Sequence, residues 1–200
     1  MVLILATHNK NKVNEIKAIL GGKFDKIVSA DEIGLTAQAE EIGSTFFQNA
    51  LLKANGLLVQ LKNKPEISGK IGDYAVLSDD SGICVDALFG ALGVNSNRYF
   101  SEGDDKANRT HMLKMLKDNP KRHAHFESSV VLIYPDGKVL SQNGITEGEI
   151  LQEEKGSGGF GYDCIFYSYD LNKSFGEATP QEKNTVSHRA RALNNLLKLL

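Results

Sequence analysis

Two adjacent carboxylates are the first residues in this chain that could do chemistry. Ser78-Asp79-Asp80-Ser81-Gly82 follows the strand-like run Tyr74 to Leu77. Neighbouring aspartates repel each other unless a cation offsets their charge, and hard carboxylate oxygens suit Mg²⁺. Gly82 permits a sharp turn or a close approach to a ligand. The stretch therefore reads as a strand ending in a turn that exposes its carboxylates. An ordinary turn with solvated acids would use the same residue types. Glu40 and Glu41 lie in a second acidic turn. They could complete a metal site with Asp79 and Asp80, or simply favour the positive end of the helix that follows.

Cationic groups recur at helix entries. Thr7-His8-Asn9-Lys10-Asn11-Lys12 joins an apolar strand to a helix. Free backbone N–H groups at a helix start, together with Lys10 and Lys12, suit phosphate. Capping by Thr7 or Asn9, with the lysines in solvent, is the competing account. Near the other end, Glu182 to Arg189 enters a last helix. Cations ordinarily favour the opposite helix end, so His188 and Arg189 point to a ligand or an acidic neighbour. A solvated basic face competes with that reading. His123 and His125 precede a strand and lack a third ligand in sequence, so they read as a solvated strand entry.

Gly156-Ser-Gly-Gly-Phe-Gly161 matches G-x-G-x-x-G by letters. The dinucleotide fingerprint requires a strand before and a helix after. Here Glu153-Glu154-Lys155 precedes and the strand-like Tyr162 to Tyr167 follows, so that fold is rejected. A glycine loop with Phe160 and Tyr162 could instead wrap a flat ring. No G-x-x-x-x-G-K-[ST] is present, which excludes a P-loop NTPase.

The elements that must position these groups alternate. Val2 to Ala6 is an apolar run typical of a strand buried on both faces. Val13, Ile16, Ile19 and Leu20 recur at helical spacing, and Gly21-Gly22 ends that helix. Ile27 to Ala30 is a second strand. Ser44 or Thr45 caps a long helix with Phe47, Ala50, Leu51, Ala54, Leu57, Leu58 and Leu61 inward. Lys62 to Asp73, with Pro65, Gly69 and Gly72, reads as an exposed loop. Ile83 to Leu88 is a strand, and 89–99 is irregular. Asp104 to Asn119 is an amphipathic helix closed by Pro120. Phe126 to Tyr134 and Val139 to Ile150 form a hairpin about Pro135-Asp136-Gly137.

Composition narrows the class. With 200 residues, 41% hydrophobic and 24% charged, the chain fits one globular domain with a sizeable core. A net charge of -2 offers no bulk basic field for nucleic acid. Two cysteines far apart, without Cys-x-x-Cys, fit a reducing compartment. No signal peptide and no membrane span are expected, so the expected location is the cytoplasm.

Taken together, the parts are those of a site for a metal-bound polyphosphate, where positioning and charge neutralisation do most of the catalytic work. The sequence resembles the inosine/xanthosine triphosphate pyrophosphatase family over nearly its whole length. The resemblance rests on Ala6-Thr-His-Asn-x-x-Lys12, Glu41-x-Gly-x-Thr-Phe46, Asn49-Ala50, Lys53-Ala54 and Asp79-Asp-Ser-Gly82. It continues through Gly156-x-Gly-Gly-Phe-Gly-Tyr-Asp163, Lys183 and Ser187-His-Arg189. What it implies is a Mg²⁺-dependent hydrolase that releases pyrophosphate from ITP, dITP and XTP. The implied fold is α/β: a long twisted mixed β-sheet flanked by helices, in two lobes with a central cleft. The implied assembly is a homodimer. By position, Asp80 would be general base and metal ligand, with Glu41, or Glu40 in a shifted register, as a further ligand. Thr7, His8, Asn9, Lys10, Asn11, Lys12, Ser81 and Lys183 would hold phosphates and sugar. Phe160, Gly161, Tyr162 and Asp163, with His188 and Arg189, would frame the base. The chain departs from the family pattern at Leu92-Gly-Val-Asn-Ser-Asn-Arg-Tyr99, where a proline is missing. A nucleotide-binding sensor is the rival reading; it could dispense with Asp80.

Overall fold

Strand alternation sends successive side chains to opposite faces, and the first strand buries both of its faces. In a computed structural model of the chain, β1 (Val2–Leu5) pairs in parallel with β2 (Lys26–Ser29) and with β3 (Tyr74–Val85). The structure describes residues 1–36, 39–88 and 92–200. Seven strands follow the order β2-β1-β3-β4-β5-β6-β7, with β4 (His123–Ile133), β5 (Val139–Ile150), β6 (Phe166–Ser168) and β7 (Lys173–Ser174). Because β5–β6 and β6–β7 are antiparallel, the sheet is mixed. The expected α/β class with a mixed sheet and flanking helices is what forms. By its internal contacts the chain divides into two compact units.

The first unit holds residues 1–80, 129–143 and 192–200. On one face Ile4, Val28, Val76, Val131 and Ile133 pack with Ala50, Ala54, Leu57 and Leu61 of α2 (Phe46–Asn63). On the other, Leu3, Leu5, Ala75, Leu77, Val130 and Leu132 pack with Ile16 and Leu20 of α1 (Lys10–Leu20) and with the chain's last helical residues. Thr45 caps α2 by accepting from the Gln48 backbone N–H. The residue buried at the start of α2 is Phe46; Phe47, expected inward, is exposed, one helical step of about 100° away. The hairpin turn forms as expected, with the Tyr134 N–H donating to the Lys138 carbonyl at 2.9 Å.

Residues 62–73 are not the loop their glycines suggest. Pro65–Ile71 is a helix, α3, with proline in its first turn and Gly72 closing it at φ 78°. Ile67 and Ile71, one turn apart, pack against the α2 core. Proline at a helix start and glycine just past its end bracket the segment, and the same two residue types punctuate loops.

The second unit holds residues 81–128 and 144–191. Its core gathers Ile83 and Val85 of β3, Met112 of α4 (Asp105–Met115), Ala124 and Phe126 of β4, and Ile150, Phe166 and Phe175. Phe126 meets Phe166 edge-on at 4.7 Å. Asp104 caps α4, which ends four residues short of the expected Asn119. The irregular 89–99 segment carries a 3-10 turn at Gly93–Arg98; its residues 89–91 lie outside the described ones. The stretch after the glycine loop is not a simple strand: a 3-10 turn at Asp163–Ile165 precedes β6. The expected last helix is two, α5 (Pro180–Val186) and α6 (His188–Leu197), broken at Ser187, whose ψ of 153° is extended. Among the described residues no helix is long and apolar enough to cross a membrane.

Candidate active site

The acidic motif is not in a turn. Ser78 to Gly82 lies inside β3, an uninterrupted twelve-residue strand. Its turn-forming residue types are overridden because β3 runs on beside β4 after its pairing with β1 ends at Leu77. The alternation of the strand separates the two aspartates, so they do not share one cation as expected. Asp79 meets the ammonium of Lys12 at 2.8 Å, and Asp80 meets that of Lys53 at 2.6 Å. Sheet alternation thus removes the repulsion that their adjacency in sequence suggests.

Around Asp80 the first unit builds a polar pocket on α2. Asn49 Nδ2 donates to Asp80 Oδ2 at 3.2 Å while Lys53 donates to Oδ1. Lys53 also reaches Glu41 Oε1 at 2.8 Å. Burial alone would lower the Lys53 pKa, but the Asp80 and Glu41 carboxylates more than offset it and hold it above its ordinary value. Glu40, the alternative acid, is exposed, so Glu41 is the one joined to this cluster.

The phosphate-loop candidates divide. Asn9 caps α1, accepting from the backbone N–H groups of Asn11 and Lys12, and Thr7 accepts from that of Asn9 at 3.2 Å. The capping account therefore holds for Asn9, while Thr7 bonds the backbone of the cap residue itself. Lys12 is half-buried against Asp79, while Lys10 and Asn11 are exposed on the first turn of α1. His8 pairs with Asp31 at 2.8 Å.

The second unit gathers the cationic candidates. Lys183 is buried and bonds Asp163 Oδ2 at 2.6 Å. Its ammonium also lies 4.5 Å from the Phe160 ring centroid. The Phe160 backbone N–H donates to the same Asp163 oxygen at 2.8 Å. Arg189, 1% exposed, donates to the Ser81 hydroxyl at 2.8 Å and lies 6.0 Å from the Phe160 ring. His188 is buried and stacked on Phe126 at 4.7 Å. The basic pair thus meets a hydroxyl and aromatic faces, and Asp163 takes the nearby lysine. Gly159 sits at φ 72°, and a Cβ there would collide with the Asp163 carboxyl, so the glycine loop closes directly over this ion pair. Gly161 is braced from both sides, its N–H by Asp105 and its carbonyl by Arg109, each at 2.8 Å. Tyr162 turns into the core and donates to the Ser96 carbonyl at 2.6 Å; burial raises its pKa above the usual phenol range.

Residues 3–199 match the model of the Ham1 family. The chain belongs to the Ham1 family. Among relatives, the dITP/XTP pyrophosphatase of Leuconostoc mesenteroides is 42% identical over 204 residues, covering 100% of this chain and 96% of that protein. That of Bacillus subtilis is 41% identical over 200 residues, covering 98% and 96%. Among solved structures, a HAM1 protein from Coxiella burnetii superposes with a TM-score of 0.83 at 33% identity, covering 100% of this chain and 98% of that one. The Staphylococcus aureus Ham1 protein gives 0.82 at 32%, covering 100% and 97%.

Two residues of this Ham1 chain join the cluster without having been singled out for it: Asn49 and Lys53. The signal was available. The buried stripe of α2 runs Phe46, Ala50, Ala54, Leu57 and Leu61, and Asn49 and Lys53 fall on the same side, four apart. Two polar residues in an apolar stripe need a buried partner, and Asp80 is that partner. A divalent ion implied by the family can be judged on the same donor set. Glu41 and Asp80 already converge on one cation, the Lys53 ammonium, and offer hard oxygens beside the Asn49 amide. Those donors fit Mg²⁺.

Proposed function

We propose that this chain hydrolyses non-standard purine nucleoside triphosphates, dITP, XTP and ITP, to the monophosphate and pyrophosphate. Residues 1–200 would form a single pyrophosphatase domain, cytoplasmic and homodimeric, and it would clear such nucleotides from the pool. The observation that carries the reading is the buried Asp80 carboxylate, held by Lys53 and Asn49 with Glu41 on the same ammonium. A nucleotide sensor would have no need of it. The names of the family relatives point the same way.

Glu41 and Asp80 would hold Mg²⁺, which when bound neutralises phosphate charge. Asp80 accepts a proton from the attacking water as that water's oxygen bonds to phosphorus. The bridge between the α- and β-phosphates breaks, and pyrophosphate leaves with its electron pair. Lys12 and Lys183 supply positive charge to the phosphates, and Lys53 keeps the Asp80 carboxylate oriented. Phe160 offers the base a flat face. His188 and Arg189 donate to the 6-oxo group of hypoxanthine or xanthine. The 6-amino group of adenine would leave a buried donor unmatched, at a cost of about 1–3 kcal/mol.

A nucleotide panel with pyrophosphate and orthophosphate measured separately tests the reading. dITP, XTP and ITP should release pyrophosphate, ATP far less, and chelation should abolish release until Mg²⁺ is restored. Asp80→Asn should lower turnover by about 10²–10⁴ while calorimetry still detects ITP. Orthophosphate as product, equal rates with ATP, or an unimpaired Asp80→Asn enzyme would each overturn it.

A further inference from the structure

Strand alternation in the second unit leaves one face of β3 and β4 outside the core. Ile83 and Val85 are buried in that core, so Cys84 between them points the other way. On β4, Ala124 and Phe126 face the core, which turns His125 and Glu127 to the same side as Cys84. All three are half-buried. One ligand atom from each, the thiol sulfur, an imidazole nitrogen and a carboxylate oxygen, lies within 4.8 Å of the other two. Among the described residues this is the cluster with metal-ligating reach. Of the two histidines that the sequence places before this strand only His125 takes part, and Cys84 and Glu127 are its companions.

From this geometry we propose a transition-metal site at Cys84, His125 and Glu127 that takes Zn²⁺. The donor chemistry selects the ion. A thiolate and an imidazole are poor ligands for Mg²⁺ and good ones for Zn²⁺. Three protein ligands with a fourth position open to water is an established Zn²⁺ arrangement. In a tetrahedron with bonds of about 2.0–2.3 Å, ligand atoms stand about 3.3–3.8 Å apart. Rotamer adjustments of about an ångström bring the three into place. Two ligands at i and i+2 on one strand, and one on its neighbour, need no loop rearrangement.

The surroundings favour a cation. His123 on the same strand face pairs through its two ring nitrogens with Asp86 at 2.8 Å and Glu147 at 3.2 Å. Those carboxylates add negative charge beside the ligands. When the ion binds, the Cys84 thiol releases its proton to solvent and the thiolate sulfur bonds the metal. Bound Zn²⁺ ties β3 to β4, so it stabilises the folded chain by an amount that rises with the logarithm of its free concentration above Kd.

Untagged, metal-free protein titrated with ZnCl₂ against a competing chelator dye should bind one ion per chain and melt at a higher temperature. Cys84→Ser, His125→Ala and Glu127→Gln should each weaken binding, the first two by about 100-fold or more, beyond what loss of an outer-shell partner costs. Co²⁺ substitution should produce a thiolate-to-cobalt charge-transfer band that Cys84→Ser removes and Cys164→Ser keeps. Asp80→Asn should leave Zn²⁺ affinity unchanged. Absence of Zn²⁺ binding, binding indifferent to all three substitutions, or a band lost with Cys164 would overturn the assignment.

Discussion

A lysine buried to 5% exposure must be paid for by a partner, and Lys183 has one in Asp163 at 2.6 Å. Both side chains are almost fully withdrawn from water, so each depends on the other's charge. Removing one charge takes a charged partner from the other in a medium that solvates it poorly. Asp163→Asn should therefore destabilise the fold by about 3–5 kcal/mol. Lys183→Met should cost a similar amount, and the double variant should cost less than the sum of the two. Urea unfolding of the four proteins measures that coupling. Additive losses would show that the pair does not act as a unit. Gly159 enters at the same scale, because a methyl group there collides with the Asp163 carboxyl. Both residues could be picked out in sequence by the family motifs, but their pairing could not, since twenty residues separate the two and only the fold brings them together.

The element that delivers Lys183 is α5, and its start is held by a reciprocal cap. Thr179 accepts from the Glu182 N–H at 3.2 Å, and Glu182 accepts from the Thr179 N–H at 2.8 Å. Lys173 also donates to Glu182 at 2.7 Å. The Lys173 bond first, and the Thr179 bonds after it, pull the Glu182 pKa down from 4.5 to about 2. A carboxylate depressed in the folded state adds stability above its unfolded pKa and loses that stability as pH falls through its folded one. Glu182→Gln keeps a capping side chain but removes the charge. Its melting temperature should fall below that of the parent protein near neutral pH, and the gap should close between pH 4.5 and 2. A gap independent of pH would locate the effect in shape rather than charge. Elements were legible where apolar periodicity was strong, as in α2 and the β4–β5 hairpin. They were missed where local residue types argued against the neighbours. Ser78 to Gly82 spells a turn and Pro65 to Gly72 spells a loop, yet β3 continues through the first beside β4, and an isoleucine pair packed on α2 folds the second. The division of Asp79 from Asp80 follows from that extension and was illegible for the same reason.

Over the whole molecule, the chain passes between its two units inside regular elements rather than through linkers. The divisions fall at 80/81, 128/129, 143/144 and 191/192, within β3, β4, β5 and α6. Unfolding one unit therefore requires breaking strands whose remaining residues belong to the other. That continuity should make unfolding a single cooperative transition, even though each unit has a core of its own. The sequence supplies two probes that weight the units differently. Of the six tyrosines, Tyr99, Tyr162, Tyr167 and Tyr169 lie in the second unit, and there is no tryptophan to mask them. Helical circular dichroism is weighted towards the first unit, which contains α1, α2 and α3 with 11, 18 and 7 residues, against 11 and 7 for α4 and α5. Urea curves followed by tyrosine fluorescence and by far-ultraviolet circular dichroism should share one midpoint and one slope. Separate midpoints, with the fluorescence change first or last, would mean that the shared strands do not couple the two cores. The Asp163→Asn effect would then be larger in the fluorescence curve than in the dichroism curve, because Asp163 and Lys183 both belong to the second unit. If the units are coupled, that substitution moves both curves together, so a single variant with two probes decides between the cases.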